Sequence, residues 1–144
     1  MTASNDWITW ALLSAVFAAA TAILAKIGLE GIDSTFATLV RTVVIAGVLA
    51  ALVYATDKWQ NPLTVPGRAL FFLSLSALAT GASWICYFRA LKIGEASRVA
   101  PVDKLSVVLV AIFAVLFLGE RPALKDWTGI ALVAAGVVLL AMRR

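Results

Sequence analysis

The chain has no histidine and a single cysteine. A lone thiol cannot close an intrachain disulfide, and without histidine partners it cannot build a metal site. No metal and no cofactor is therefore expected. Catalytic signatures are missing as well: there is no G-x-S-x-G elbow, no phosphate-binding loop and no zinc-protease helix. An embedded hydrolase or an ATP-driven pump would have nothing to work with, so the chain is read as not an enzyme. Charge is scarce too. Only 14% of the residues are Asp, Glu, Lys or Arg, against about 25% in soluble domains. Too few polar groups remain to coat a soluble core, so lipid must form the outer boundary.

What is abundant is apolar sequence, 62% of the chain, gathered in long runs. A helix needs about 20 residues to cross a hydrocarbon layer roughly 30 Å thick. Five runs qualify, at about 7–28, 34–56, 69–91, 97–119 and 127–142, the last being short. Barrel strands would alternate every second residue, and the run 105–118 does not. Asp6 precedes the first run, with no Lys or Arg. That run is also longer than a signal-peptide core, so a retained helix is expected. Cys86 falls within the third run and reads as a packed or lipid-facing thiol. The expected fold is an all-α membrane protein: one domain, 1–144, built as a bundle of five transmembrane helices.

The connections are short, which places successive helices side by side and antiparallel. The longest, 57–68, contains the turn-forming pairs Asn61-Pro62 and Pro66-Gly67. Five spans put the termini on opposite faces. Side A holds the N-terminus and the loops 57–68 and 120–126. Side B holds the loops 30–33 and 92–96 and the C-terminus. Side A carries Lys58, Arg68, Arg121 and Lys125; side B carries Lys26, Arg89, Lys92, Arg98, Arg143 and Arg144. The bias weakly favours a cytoplasmic side B and is small enough to permit insertion both ways. The net charge of +4 is ordinary for loops beside lipid and does not imply nucleic-acid binding. Trp7, Trp10, Trp59 and Trp127 gather near side A, where tryptophans anchor helix ends at the headgroups.

Arg41, Asp103 and Lys104 lie within runs entered from side B, on the order of 10 Å deep. Charges at such depth are costly unless paired or hydrated. One reading pairs Arg41 with Asp103 across helices and leaves Lys104 for a ligand. The other starts the fourth helix near Ala100, with Pro101 in its first turn. Asp103 is then a helix-end residue and Lys104 snorkels to the interface. Neighbouring residues diverge by about 100° around a helix, so Lys104 is expected to escape neutralisation by Asp103. A free lysine there tilts the substrate toward molecules bearing a carboxylate or phosphate.

Ser76, Thr80, Ser83, Trp84 and Tyr87 share one face of the third run. They either line a substrate path or pack against a neighbouring helix. Trp10, Ser14, Phe17 and Thr21 form a weaker stripe on the first run, where packing is the preferred reading. On the fifth run Gly129 and Gly136 share one face, and Ala131 and Ala135 another. Such small residues permit close helix approach, either between two copies or within one.

The stretch YFRALKIGEASRVAPVDKLSVVLVAIFAVLFLGERP, residues 87–122, resembles the EamA repeat of the drug/metabolite transporter superfamily. The shared pieces are Ala90-Leu91 with the Gly94-to-Pro101 segment, Leu116–Glu120, and the Gly129, Leu132 and Gly136 pattern; Arg41 also fits. Most members carry two repeats, and this chain resembles the single-repeat, five-helix bacterial and archaeal branch. The resemblance implies an alternating-access carrier of small metabolites or drugs in a prokaryotic cytoplasmic membrane. One repeat is half of the usual inverted pair, so a homodimer is implied, with antiparallel copies. The acidic first-helix residue of the small multidrug-resistance branch has no counterpart in 7–25, which argues against proton antiport of that type. A different class stays open, a non-transporting membrane subunit that partners a larger complex. Lipid, a second copy and a small molecule are the expected partners.

Overall fold

A computed structural model describes residues 6–142. Arg143 and Arg144, part of the side-B charge, lie outside the described residues. The elements are α1 (Asp6–Gly28), α2 (Ser34–Ala55), a 3₁₀ turn (Pro62–Thr64), α3 (Gly67–Ile93), α4 (Ala96–Asp103), α5 (Ser106–Phe113), a π turn (Ala114–Leu118) and α6 (Leu124–Met142). The described residues form five spans long and apolar enough to cross a membrane, with α4, α5 and the π turn together making the fourth. All described regular structure is helical. This is what lipid requires, because each backbone polar group must find its partner within the chain.

Helix ends are set by local chemistry. The Asp33 carboxylate accepts hydrogen bonds from the Thr35 and Phe36 amides, at 2.8 and 3.1 Å, and so caps α2. Gly31, at φ +73°, turns the chain just before it. Asn61 caps the 3₁₀ turn in the same way, through the Leu63 amide. Gly119, at φ +67° and ψ +19°, ends the fourth span in the left-handed region that glycine enters without steric cost. The hydroxyls of Thr38, Thr42, Thr80 and Thr128 each donate back to the carbonyl four residues earlier. These four threonine hydroxyls are thereby satisfied by their own helix.

The fourth span departs from a single helix over 97–119. It starts at Ala96, so Pro101 is the sixth residue of α4 rather than part of a first turn. Proline offers no amide to the carbonyl one turn back. Two residues later α4 ends, and the Lys104 and Leu105 amides donate to the Pro101 and Val102 carbonyls in tighter i to i−3 turns. Asp103 thus closes a helical segment, and the reading of it as a residue near a helix start is corrected.

Contacts divide the chain into two compact units, 1–93 and 94–144. In the first, α1 and α2 both lie against α3 and make little contact with each other. Its buried residues are Ala22, Ala25, Leu29, Ser34, Thr38, Phe88 and Leu91. All belong to the side-B ends of the three helices. Two lysines fasten that end. Lys26 Nζ donates to the Leu91 carbonyl at 2.6 Å, and Lys92 Nζ to the Ile32 carbonyl at 2.7 Å. In the second unit α6 packs on α4 and α5. Val137 is buried, with Ile130 and Ala134 half-buried on the same face.

Candidate functional site

Because α1 and α2 rest on α3 and touch each other little, a cleft of about 460 Å³ stays open between them in the first unit. Volumes of this order suit small-molecule sites. From α1 it takes Thr21, Leu24 and Gly28, and from α2 Phe36, Val40 and Arg41; Ile32 of the loop and Phe88 of α3 complete its ends. Leu24, Phe36 and Val40 are exposed, so the cleft communicates with the surroundings of the helices. Arg41 is the one ionisable residue in the lining.

Arg41 is the eighth residue of α2, on the order of 10 Å from its start. Its guanidinium carbon stands 4.3 Å from the Phe88 ring centroid and 5.7 Å from that of Trp84. Phe88 and Trp84 are four apart on α3, which brings both rings to one face. Phe88 is only 2% exposed, so its ring is a fixed platform. Ring faces attract a cation by about 0.5–2 kcal/mol, but they do not satisfy in-plane N–H groups. Arg41 Nη1 is buried and has no hydrogen-bond partner among the described residues. A buried donor left unpaired costs about 1–3 kcal/mol. The cleft therefore has an apolar wall and one cation, of which Nη1 is left without a hydrogen-bond partner.

The residues expected from the sequence are distributed as follows. Trp84 and Tyr87 are half-buried on α3. Trp84 stands beside Arg41, and the Tyr87 ring meets Phe88 edge-on at 5.6 Å. Thr80 and Ser83 are exposed, and the Thr80 hydroxyl is already given to the Ser76 carbonyl at 2.9 Å. Lys104 is not the isolated cation expected. Its Nζ lies 3.2 Å from the Asp103 carboxylate. The break in the span after Asp103, together with the long lysine side chain, undoes the divergence that a continuous helix would impose. Gly129, Gly136, Ala131 and Ala135 are exposed and flank the packed face of α6. A Cβ at either glycine would meet nothing within 4 Å. Phe88 and the lysine fastenings were missed. The i, i+4 spacing of Trp84 and Phe88 was the available signal, but helix register was not.

A model of the EamA-like transporter family matches residues 5–142. The chain belongs to that family. It is a multi-pass transporter of the bacterial inner membrane. A Sinorhizobium protein named as an uncharacterised transporter in the cobO 3′ region is 63% identical over 139 residues, 96% of this chain and 99% of that one. An uncharacterised Methanocaldococcus jannaschii protein is 29% identical over 131 residues, 91% and 93% of the two chains. A Proteus mirabilis protein named as the probable 4-amino-4-deoxy-L-arabinose-phosphoundecaprenol flippase subunit ArnE is 29% identical over 90 residues, 62% of this transporter and 80% of that protein. No solved structure gives a significant match.

Proposed function

We propose that the transporter is a secondary carrier of small organic molecules that works as a dimer by alternating access. The α1–α2 cleft is its substrate-binding part. The observation that carries this reading is the cleft itself, an apolar recess with a guanidinium on a ring platform and its Nη1 unpartnered. One five-span repeat is half of the inverted pair that such carriers use, and α6 has two rows of small residues available for a second copy. The midpoint of α6 (Leu124–Met142) is Val133, and Gly129 and Gly136 lie almost symmetrically about it. In an antiparallel pair, Gly129 of one copy would therefore face Gly136 of the other.

The test combines cross-linking with flux. Chains carrying Gly129→Cys and Gly136→Cys, both with Cys86→Ala, are co-expressed. A mixed disulfide dimer is expected for antiparallel copies, and Gly129→Cys self-linkage for parallel ones. Linkage in neither arrangement would remove α6 as the seam. Absence of protein-dependent flux in vesicles, across a panel of metabolites and amphiphiles, would sink the carrier reading. A second arrangement, with a different five-helix chain as partner, takes support from the ArnE relative, which is named a subunit. It predicts no cross-link when this chain is expressed alone.

A further inference from the structure

We infer that the α1–α2 cleft takes an anionic amphiphile: an apolar chain ending in a phosphate or carboxylate, with the acid group on Arg41. The inference rests on the carrier reading in treating the cleft as the substrate site, and it adds the ligand's chemical class. The sign comes from the lining. Arg41 is permanently charged, and no acidic residue lines the cleft. Arg41 alone sets the charge of the lining. The preference for an oxyanion comes from geometry. Phe88 and Trp84 cover a guanidinium with ring faces, which attract the charge but leave its N–H groups to seek an oxygen.

The apolar part comes from the remaining wall. Besides Arg41, Thr21 is the one polar side chain in the lining. A fully hydrated anion would gain little against Leu24, Phe36 and Val40, whereas an alkyl chain would be buried there. Those three residues are exposed along membrane-spanning helices, so the ligand can arrive from within the bilayer. The proposed source is therefore a membrane-dissolved molecule and not a free ion from water. Arg41, about 10 Å below the side-B end, lies at a depth that an amphiphile's acid group reaches when its chain continues inward.

The experiment is a fluorescence titration of the full chain in a neutral maltoside, using dodecyl phosphate, inorganic phosphate and dodecyltrimethylammonium. Dodecyl phosphate is expected to bind saturably, with the other two at least about tenfold weaker. Arg41→Gln should weaken dodecyl phosphate by about tenfold or more, and Arg41→Lys by less. Gly28→Leu should block binding with Arg41 intact. Gly28 has open space around it and no positive φ, so this variant is expected to fold. Should Arg41→Gln fail to fold, Arg41→Lys and Gly28→Leu decide the matter. The inference is overturned if Gly28→Leu and the folded Arg41 variants leave dodecyl phosphate affinity unchanged. Equal binding of the cationic amphiphile, or of inorganic phosphate, overturns it as well. Binding is read without transport. Intact binding without flux therefore counts against the carrier reading alone, and flux without dodecyl phosphate binding counts against this inference alone.

Discussion

Arg41 and Phe88, on different helices, meet at 4.3 Å between guanidinium carbon and ring centroid. This contact joins α2 to α3 at the base of the cleft. A double-mutant cycle of Arg41→Gln with Phe88→Leu, read by thermal unfolding in detergent, should give a coupling of about 0.5–2 kcal/mol. Phe88→Leu keeps most of the buried volume, so the coupling reports the ring and not a cavity. Additive effects would show that the two side chains are neighbours without an energetic link.

The lysine fastenings make separate predictions. Lys92→Met leaves the Ile32 carbonyl without its donor, and Lys26→Met does the same to Leu91. Lys26→Met, on a part-buried contact, should lower stability by about 1–3 kcal/mol, because charged donors make the stronger hydrogen bonds. Lys92→Met, on an exposed one, should lower it by about 1 kcal/mol or less. Arginine at position 92 should recover part of the loss. Unchanged melting of Lys92→Met would mean that water replaces the contact without penalty.

Asp33 sits outside the spans, and its pKa is lowered from the ordinary 3.8, first by the Phe36 amide, then by the Thr35 amide, with Lys92 adding to them. A depressed folded pKa contributes stability that is fully present above the unfolded value and is lost as pH falls through the folded one. Acid should therefore weaken the α2 start below about pH 4. Asp33→Asn keeps an accepting oxygen and should remove that part of the acid sensitivity. Asp33→Ala should lower stability at neutral pH also. Identical acid profiles for Asp33→Asn and the parent would refute the assignment.

Gly119 ends the fourth span at φ +67°. Open space surrounds it, so any penalty on substitution is backbone strain and not a clash. Gly119→Ala should cost about 1–2 kcal/mol, measured as a shift in unfolding midpoint. A neutral substitution would mean that the turn relaxes into another conformation.

Ten basic residues at or near the helix ends bias the topology, four on side A and six on side B. Reporters fused to the C-terminus should register on both faces, or on the cytoplasmic face with a signal that shifts when Arg143 and Arg144 are neutralised. A strictly external C-terminus, unmoved by those changes, would refute the weak-bias reading.

The five spans were legible because hydrophobic length is a property of the chain alone. The α3 limits, Gly67–Ile93, run only two residues past the expected 69–91 at each end. The break after Asp103 was not legible. Pro101 is equally compatible with a first turn and with a helix interior, and the start at Ala96 decides which. The candidate cleft was only partly legible. Arg41 stood out as a charge in an apolar run but was read as a partner for Asp103. None of Thr80, Ser83, Trp84, Tyr87 and Lys104 lines the cleft. That Phe88 supports Arg41 depends on how α2 registers against α3, which no single helix encodes. Lys26 and Lys92 had been counted as topology signals, since sequence gives their sign and not the carbonyls they reach.

The confinement of burial in the first unit to one end of α1, α2 and α3 has a mechanical consequence. If the proposed carrier opens by tilting its helices, those ends would serve as the fulcrum and the rest of α1 and α2 as two arms. Arg41 lies on the order of 10 Å along its arm, while the 22 residues of α2 span roughly 33 Å. A rigid tilt that widens the cleft by 1 Å at Arg41 therefore displaces the far tip about threefold more. Ligand size at one membrane face would thus be converted, with gain, into arm separation at the other.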